Sequence, residues 1–146
     1  MTDRQAAEEL LRSQHTLVLA TVNQDGSPHN TPLFYIVGEG LRLYWLSSHK
    51  SPHSLNLKNG PVSVAIFQPA SGWRAIRGAQ MRGPAHAVRG LREKAEVLAR
   101  YQREFALGPE FAAVIARSRL YVFEPAWVRY IDNSRGFGYR SEFSVE

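Results

Sequence analysis

The chain has 146 residues, of which 44% are hydrophobic and 21% are charged, and it contains no cysteine. A chain of this length buries roughly 70% of the surface that its unfolded form exposes, so we expect a single domain over residues 1–146 without disulfides or thiolate metal sites. The net charge of +5 comes from scattered basic residues, which we interpret mainly as a solvated surface.

The N-terminal segment predicts a short helix. Thr2 and Gln5 form a capping-box pattern, and alanines and leucines follow at helical spacing. The segment is charged and amphipathic, which distinguishes it from a signal peptide, and no run approaches the ~20 apolar residues of a membrane span. We therefore expect a cytoplasmic protein without a membrane segment.

Six runs of β-branched and apolar residues predict strands, and short turns join the first three into an antiparallel meander. In chain order, the predicted strands lie at residues 16–22, 29–37, 41–47, 62–67, 73–88 and 119–131. Pro32 cannot donate to a ladder, so it favours an edge position or a bulge in the second strand. Gly78 and Gly83 predict bends or a close approach of another backbone in the fifth strand, and Pro125 breaks the last.

The segments between and after these strands predict three more helices and a tail. The helices cover residues 51–60, a run from residue 90 to residue 108, and residues 110–117. The tail over residues 131–143 is rich in Gly, Ser and Asn, and we interpret it as an ordered loop or a partner-contacting arm.

Together these elements predict an α+β, mainly β fold, a six-stranded antiparallel barrel with peripheral helices. The helices do not alternate with every strand, which argues against a doubly wound parallel sheet. A glycine-rich dinucleotide fingerprint and a phosphate-binding P-loop are both absent from the sequence.

The segment SSHKSPH, residues 47–53, is the most informative for chemistry. It joins a strand end to a helix start, and it offers hydroxyls, the Lys50 ammonium and free backbone amides. Such a junction suits a phosphate, because the helix N-terminus presents orphan donors and a partial positive charge. An ordinary capped surface turn is the alternative that the sequence leaves open.

Other catalytic constellations have little support. Only His49 and His53 among the five histidines stand four residues apart, so we expect no metal site and interpret the histidines as exposed or capping. No G-x-S-x-G motif is present, and most carboxylates lie in solvent-facing helical stretches. Asp132 is the exception, because glycines and an aromatic residue surround it. Strand aromatics beside a phosphate junction suit either a phosphorylated aromatic cofactor or single-stranded nucleic acid.

The order of these segments resembles that of the FMN-binding split barrels related to pyridoxamine 5′-phosphate oxidase. The resemblance runs through ATV, NQDGSPH, TPLFYIV, LRLYWLSSHKSPHSL and PVSVAIF, and continues in IRGAQMRGPAHAV and the helix after it. The tail VRYIDNSRGFG and the SSHKS segment resemble those of a branch of small bacterial proteins within that superfamily. The resemblance implies an FMN-binding split barrel that forms a homodimer, with two flavins at the subunit interface.

The resemblance also implies which residues hold the flavin. Lys50 and Ser51 would bind its phosphate, with a hydroxyl from Ser47. Four residues would line the isoalloxazine ring and the ribityl chain, largely through backbone groups: Thr31, Pro32, Leu33 and Phe34. Tyr44 and Trp45 match the strand that runs beneath the flavin. Weaker candidates, on elements that could reach the partner's flavin, are Gly78, Gln80, Trp127, Asn133 and Phe137.

Two features depart from the pattern of the oxidases. Ser51 stands where they carry a second basic residue, and no Tyr-Arg-Ser substrate clamp occurs between Ala87 and Arg119. The resemblance therefore implies a flavin-dependent oxidoreductase whose small-molecule substrate is not pyridoxamine phosphate. A haem- or deazaflavin-binding split barrel is the alternative, and a basic nucleic-acid-binding barrel is a less favoured one.

Overall fold

The computed structural model describes residues 1–146, and its strands form two antiparallel sheets. The first sheet has six strands in the order β10-β9-β6-β5-β1-β2, and the second has four in the order β3-β4-β8-β7. In chain order the strands are β1 Thr16–Val22, β2 Pro28–Phe34, β3 Ile36–Val37, β4 Leu43–Ser47, β5 Val62–Phe67, β6 Arg77–Gly83, β7 Ala85–Ala87, β8 Arg119–Phe123, β9 Trp127–Asp132 and β10 Arg140–Ser144. The antiparallel α+β class is confirmed, but the strands pair as six and four instead of closing one six-stranded barrel.

Four α-helices surround the sheets: α1 Asp3–Ser13, α2 Pro52–Leu55, α3 Leu91–Glu104 and α4 Ala112–Arg117. The capping box predicted at Thr2 and Gln5 is present, with both reciprocal hydrogen bonds formed. The helix predicted over residues 51–60 is shorter than expected, because α2 is a single turn that continues as a 3-10 turn over Asn56–Asn59. None of the helices is long and apolar enough to cross a membrane.

The hydrophobic core lies between the two sheets. Inward-facing residues of both sheets and the leucines of α1 form one cluster, whose largest fully buried side chain is Trp45. A smaller cluster lies on the other face of the four-stranded sheet, where Tyr44 and Val122 pack against Val97 and Tyr101 of α3. The opposite face of the six-stranded sheet is covered by no other element of the chain, which leaves Gln80 and Arg82 exposed on it.

Two predicted long strands are each divided between the sheets. The run over residues 73–88 becomes β6 and β7, which meet at Gly83 and Pro84, and the run over residues 119–131 becomes β8 and β9. The two crossings are hydrogen-bonded to each other, since the Glu124 amide donates to the Pro84 carbonyl and the Ala126 amide to the Arg82 carbonyl. A proline at each crossing removes an amide that a continuous ladder would need. The predicted breaks at the glycine and at Pro125 are therefore points where the chain changes sheet.

The second predicted strand and the tail also need revision. The strand over residues 29–37 is broken at Tyr35, so β2 and β3 belong to different sheets, while Pro32 lies on an edge strand as predicted. The tail was expected to lack strands, yet β10 pairs with β9. The sequence signal for β10 is weak, because the alternation of half-buried Ser141 and Phe143 with exposed neighbours is only five residues long and follows a glycine-rich stretch.

Replacement of Gly83 tests the crossing. A Cβ at this position would lie 2.1 Å from the Glu124 carbonyl oxygen, so alanine forces the two crossings apart. We expect Gly83→Ala to lower the free energy of unfolding by about 3 kcal/mol, at the upper end of overpacking costs, as measured by urea denaturation. Gly72→Ala is the matched control, because a Cβ there meets no atom within 4 Å. Equal stability of the two variants would contradict the close approach.

Candidate functional site

The turn between β4 and α2 gathers three hydroxyls and an ammonium group. Ser47 ends β4, and Ser48, Lys50 and Ser51 follow it. The Ser48 hydroxyl accepts from the Lys50 amide at 3.2 Å, and Ser51 Oγ donates to the Ser48 carbonyl at 2.7 Å. These bonds hold the turn in shape while the Lys50 side chain stays exposed. The predicted phosphate-binding residues are thus brought together, although α2 is too short to add a substantial helix dipole.

His53 lies directly beneath these hydroxyls, a position that sequence reasoning missed. Its Nε2 is 2.5 Å from Ser47 Oγ and 3.2 Å from Ser51 Oγ, and the residue is only 8% exposed. Burial, followed by the nearby charge of His29, lowers the pKa of His53, so the ring is neutral near pH 7. The expectation of an exposed or capping histidine is wrong, because the turn folds α2 back onto β1 and β2. Only its proximity to the serines in sequence could have indicated this contact.

A buried asparagine fastens this region to the first sheet. Asn56 Nδ2 donates to Thr21 Oγ1 at 3.0 Å and to Asn23 Oδ1 at 2.7 Å, so the turn after α2 is tied to the end of β1. Asn59 adds a bond to the Val22 carbonyl. The position of the turn between β4 and α2 is consequently fixed by polar contacts as well as by packing.

The outer edge of β2 runs alongside this turn. The Tyr35 amide donates to the His15 carbonyl, and backbone groups alternate along a strand, so those of Phe34, Pro32 and Asn30 point away from β1. Tyr101 of α3 donates its hydroxyl to the Phe34 carbonyl at 3.2 Å. The remaining outward carbonyls and amides form a row that a flat polar ligand can bind edge-on. Phe34 itself is 59% exposed.

Two buried polar atoms near this row have no hydrogen-bond partner within the chain, Thr31 Oγ1 on β2 and Trp45 Nε1 on β4. An unpaired buried donor or acceptor costs about 1 to 3 kcal/mol, so these atoms favour a bound group that the chain alone does not supply. Leu33 packs against the same core cluster as Trp45. Tyr44, by contrast, faces α3 in the second cluster, so only Trp45 of the predicted pair lies on the barrel side of β4.

The weaker candidates lie elsewhere in the chain. Three are on β6 and β9, which lie about 14 Å and about 19 Å from β2 across the sheet: Gly78, Gln80 and Trp127. Asn133 is buried in the turn after β9, where its side-chain oxygen accepts from the Gly138 amide. Phe137 is 82% exposed and packs edge-on against Trp73, with 5.6 Å between the ring centroids. One copy of the chain does not bring these residues to the turn between β4 and α2, so their contact with a partner's flavin stays a prediction.

Asp132, singled out in the sequence, anchors the loop that carries Asn133. Its carboxylate accepts from the Ser134 amide and hydroxyl and from the Tyr130 hydroxyl, which also accepts from Arg77. Burial opposes ionisation of Asp132, but these hydrogen bonds outweigh it and lower the pKa of the carboxyl group. The network is structural and keeps the loop against the end of the sheet.

The lowered pKa of Asp132 predicts a pH-dependent loss of stability. A depressed folded-state pKa stabilises the fold above the ordinary carboxyl pKa, and that stabilisation disappears as the pH falls through the lowered value. We expect Asp132→Asn to cost about 1.5 kcal/mol near pH 7 and progressively less as the pH falls below the ordinary carboxyl pKa of about 4, by urea denaturation across pH. Glu9→Gln, on an exposed position of α1, is the control. A cost that does not change with pH would show that the charge of Asp132 is unimportant.

Comparisons with known proteins agree with this architecture. Residues 3–132 match a family model described as pyridoxamine 5′-phosphate oxidase, whereas no curated protein sequence matches the chain. The haem-binding protein of Mycobacterium smegmatis superimposes with a TM-score of 0.79 at 21% identity, over 99% of this chain and 58% of that one. HutZ, the haem storage protein of Vibrio cholerae, superimposes with a TM-score of 0.71 at 20% identity, over 99% of this chain and 96% of that one.

ChuZ of Campylobacter jejuni gives a TM-score of 0.80 at 16% identity, over 97% of this chain and 58% of that one. This chain therefore spans a little more than half the length of two of these three relatives. Identities this low show a shared fold.

Proposed function

This chain belongs to the pyridoxamine 5′-phosphate oxidase family, and we propose that it is an FMN-binding flavoprotein with the flavin phosphate at the turn between β4 and α2. The observation that carries the proposal is the convergence of Lys50 with the hydroxyls of Ser47 and Ser51 beside the free edge of β2. Charge-assisted hydrogen bonds from an ammonium group suit a phosphate, and hydroxyls complete its coordination.

The edge of β2 suits the rest of the cofactor. Outward backbone groups of Pro32 and Phe34 can bind the polar rim of an isoalloxazine ring, and because Pro32 has no amide, the ring atom opposite it needs no hydrogen-bond acceptor. The Thr31 hydroxyl, buried without a partner, is available to the ribityl chain or the ring. The donors and acceptors present thus fit a flavin mononucleotide.

The chemistry of such a protein belongs largely to its cofactor. FMN, when bound, supplies hydride or electron transfer, and the chain supplies binding, orientation and exclusion of water. The sequence lacks the Tyr-Arg-Ser clamp of the oxidases, so the proposed activity is oxidation or reduction of a small molecule other than pyridoxamine phosphate.

A homodimer completes the proposed site. The uncovered face of the six-stranded sheet has a centre of small and apolar residues, namely Val18, Ala20, Ser63 and Ala65. Beside it, the Trp127 ring lies 4.0 Å from the Arg82 guanidinium and 5.3 Å from that of Arg129. Pairing two such faces would cover this centre and carry Gly78, Gln80, Trp127, Asn133 and Phe137 towards the partner's flavin.

Haem is the second candidate ligand. Two of the structurally similar proteins are described as haem-binding and haem-storing, and the fold is shared over nearly the whole of this chain. Haem iron takes four ligands from its porphyrin and needs only one or two axial residues, which a histidine of this chain or of its partner subunit would supply.

The absorbance spectrum of the isolated protein separates these candidates, and a lysine variant tests the phosphate site. We expect a flavin spectrum, and we expect Lys50→Ala to weaken FMN binding about tenfold or more, the value of one charge-assisted bond. Lys94→Ala, at an exposed position on α3, should leave the affinity unchanged. Fluorescence titration with FMN and with riboflavin, which lacks the phosphate, measures both effects.

A colourless protein that does not take up added FMN would overturn the flavin proposal. A Soret band with haem in place of a flavin spectrum would favour the second candidate. If Lys50→Ala weakened riboflavin and FMN binding equally, Lys50 would not act on the phosphate.

The dimer is tested on the uncovered sheet face. Ala65→Arg places a charge at its centre, so we expect a monomer in sedimentation equilibrium and weaker FMN binding, because desolvating an unpaired charge is costly. Ala116→Arg, on the exposed α4, is the matched control and should remain dimeric. A monomeric parent protein, or a dimer that survives Ala65→Arg, would contradict this interface.

A further inference from the structure

We infer that His53 is the proton-accepting member of the phosphate site, taking up a proton when a phosphate dianion binds beside Ser47 and Ser51 and so supplying a second positive charge. This inference rests on the proposed phosphate-binding function of the same turn. It assigns a positioning role to a side chain that the phosphate itself need not touch.

The geometry places one ring nitrogen against both candidate hydroxyls. Nε2 of His53 lies 2.5 Å from Ser47 Oγ and 3.2 Å from Ser51 Oγ. The ring is almost completely buried, so these hydroxyls stand between it and the surface of the turn. A change in the protonation of Nε2 therefore changes which way the Ser47 hydrogen points, whereas the Ser51 hydrogen stays on the Ser48 carbonyl.

The single hydroxyl hydrogen of Ser51 is donated to the Ser48 carbonyl at 2.7 Å, so this oxygen can only accept further hydrogen bonds, from Ser54 Oγ at 2.8 Å and from a protonated Nε2. When Nε2 is unprotonated, it can accept the hydroxyl hydrogen of Ser47, and that hydrogen is then withheld from a ligand. When Nε2 carries a proton it donates to the serines instead, and the Ser47 hydrogen is free to bind a phosphate oxygen. Protonation of His53 thus converts Ser47 into a donor towards the ligand.

The charges around the ring oppose its protonation until an anion arrives. Apart from Tyr44 of β4, which faces α3, the titratable residues on the elements packed around it are all basic: His29 on β2, His49 and Lys50 in the turn, Lys58 in the 3-10 turn after α2, and Arg119 on β8, which pairs with Ser47. β1, which also contacts α2, carries no titratable residue. Burial and His29 lower the pKa of His53 in the free protein, whereas a nearby phosphate reverses the sign of the local field.

A proton on His53 would help to balance the negative charge of a bound phosphate. A phosphate monoester carries about −1.5 to −2 charge near pH 7, and Lys50 is the cation within the turn itself, while Arg119 is exposed on the neighbouring strand opposite Ser47. One further positive charge beneath the hydroxyls brings the site close to neutrality. We therefore expect phosphate binding to be coupled to the uptake of up to one proton.

The pH dependence of ligand binding tests this coupling. Between about pH 8.5 and 6.5, above the second phosphate pKa near 6, the affinity of the parent protein for FMN should rise roughly fivefold to tenfold as the pH falls. Riboflavin affinity should not change over this range. His53→Gln should abolish the pH dependence for FMN, whereas His49→Gln, at an exposed position in the same turn, should retain it.

A direct measurement on the parent protein keeps the test independent of whether His53→Gln folds. NMR titration of the His53 ring should give a higher pKa with FMN bound than without it. An unchanged or lower pKa with FMN bound, or a pH dependence that persists in a folded His53→Gln, would overturn the inference. Failure of the parent protein to bind FMN at any pH would instead overturn the proposed function.

Discussion

The crossing of two chain segments between the sheets is the constraint on which the structure depends. Gly83–Pro84 and Glu124–Ala126 lie in backbone contact, with no room for a side chain at Gly83. Because both segments change sheet at this point, β6 and β9 are held in one sheet while β7 and β8 are held in the other. The two sheets therefore enclose one core, and the edge of β2 and the end of β4 are positioned by its packing.

Local patterns in the sequence account for most strands and for the N-terminal cap, since period-two alternation and the Thr2–Gln5 box are short-range signals. They could not reveal that a run such as residues 73–88 contributes strands to two sheets. Gly83 and Pro84 indicate a break in the strand, but they do not indicate which sheet the chain joins after it. The tail strand β10 was missed for a related reason. Its alternation spans five residues, and its pairing partner β9 supplies most of its stability.

The candidate site divides in the same way. Lys50 and Ser51 are recognisable because they are contiguous and chemically distinctive, and the structure keeps them together. The burial of His53 depends on how α2 folds back over β1 and β2, and Asn56 fixes that fold through Thr21, far away in the sequence. Tyr44 and Trp45 are adjacent in sequence but face different clusters, so strand alternation decides which of them can lie near a ligand.

The contact between the first turn of α1 and the tail has a consequence for synthesis. Asp3 pairs with Arg135 and accepts from the Tyr139 hydroxyl at 2.8 Å, a link that spans 136 residues. A nascent chain cannot form this link until residues 135–139 have left the ribosome, and contacts of such long range slow the final step of folding. The first turn of α1 therefore gains this anchor only after residues 135–139 have been synthesised, whereas its Thr2 cap can form earlier.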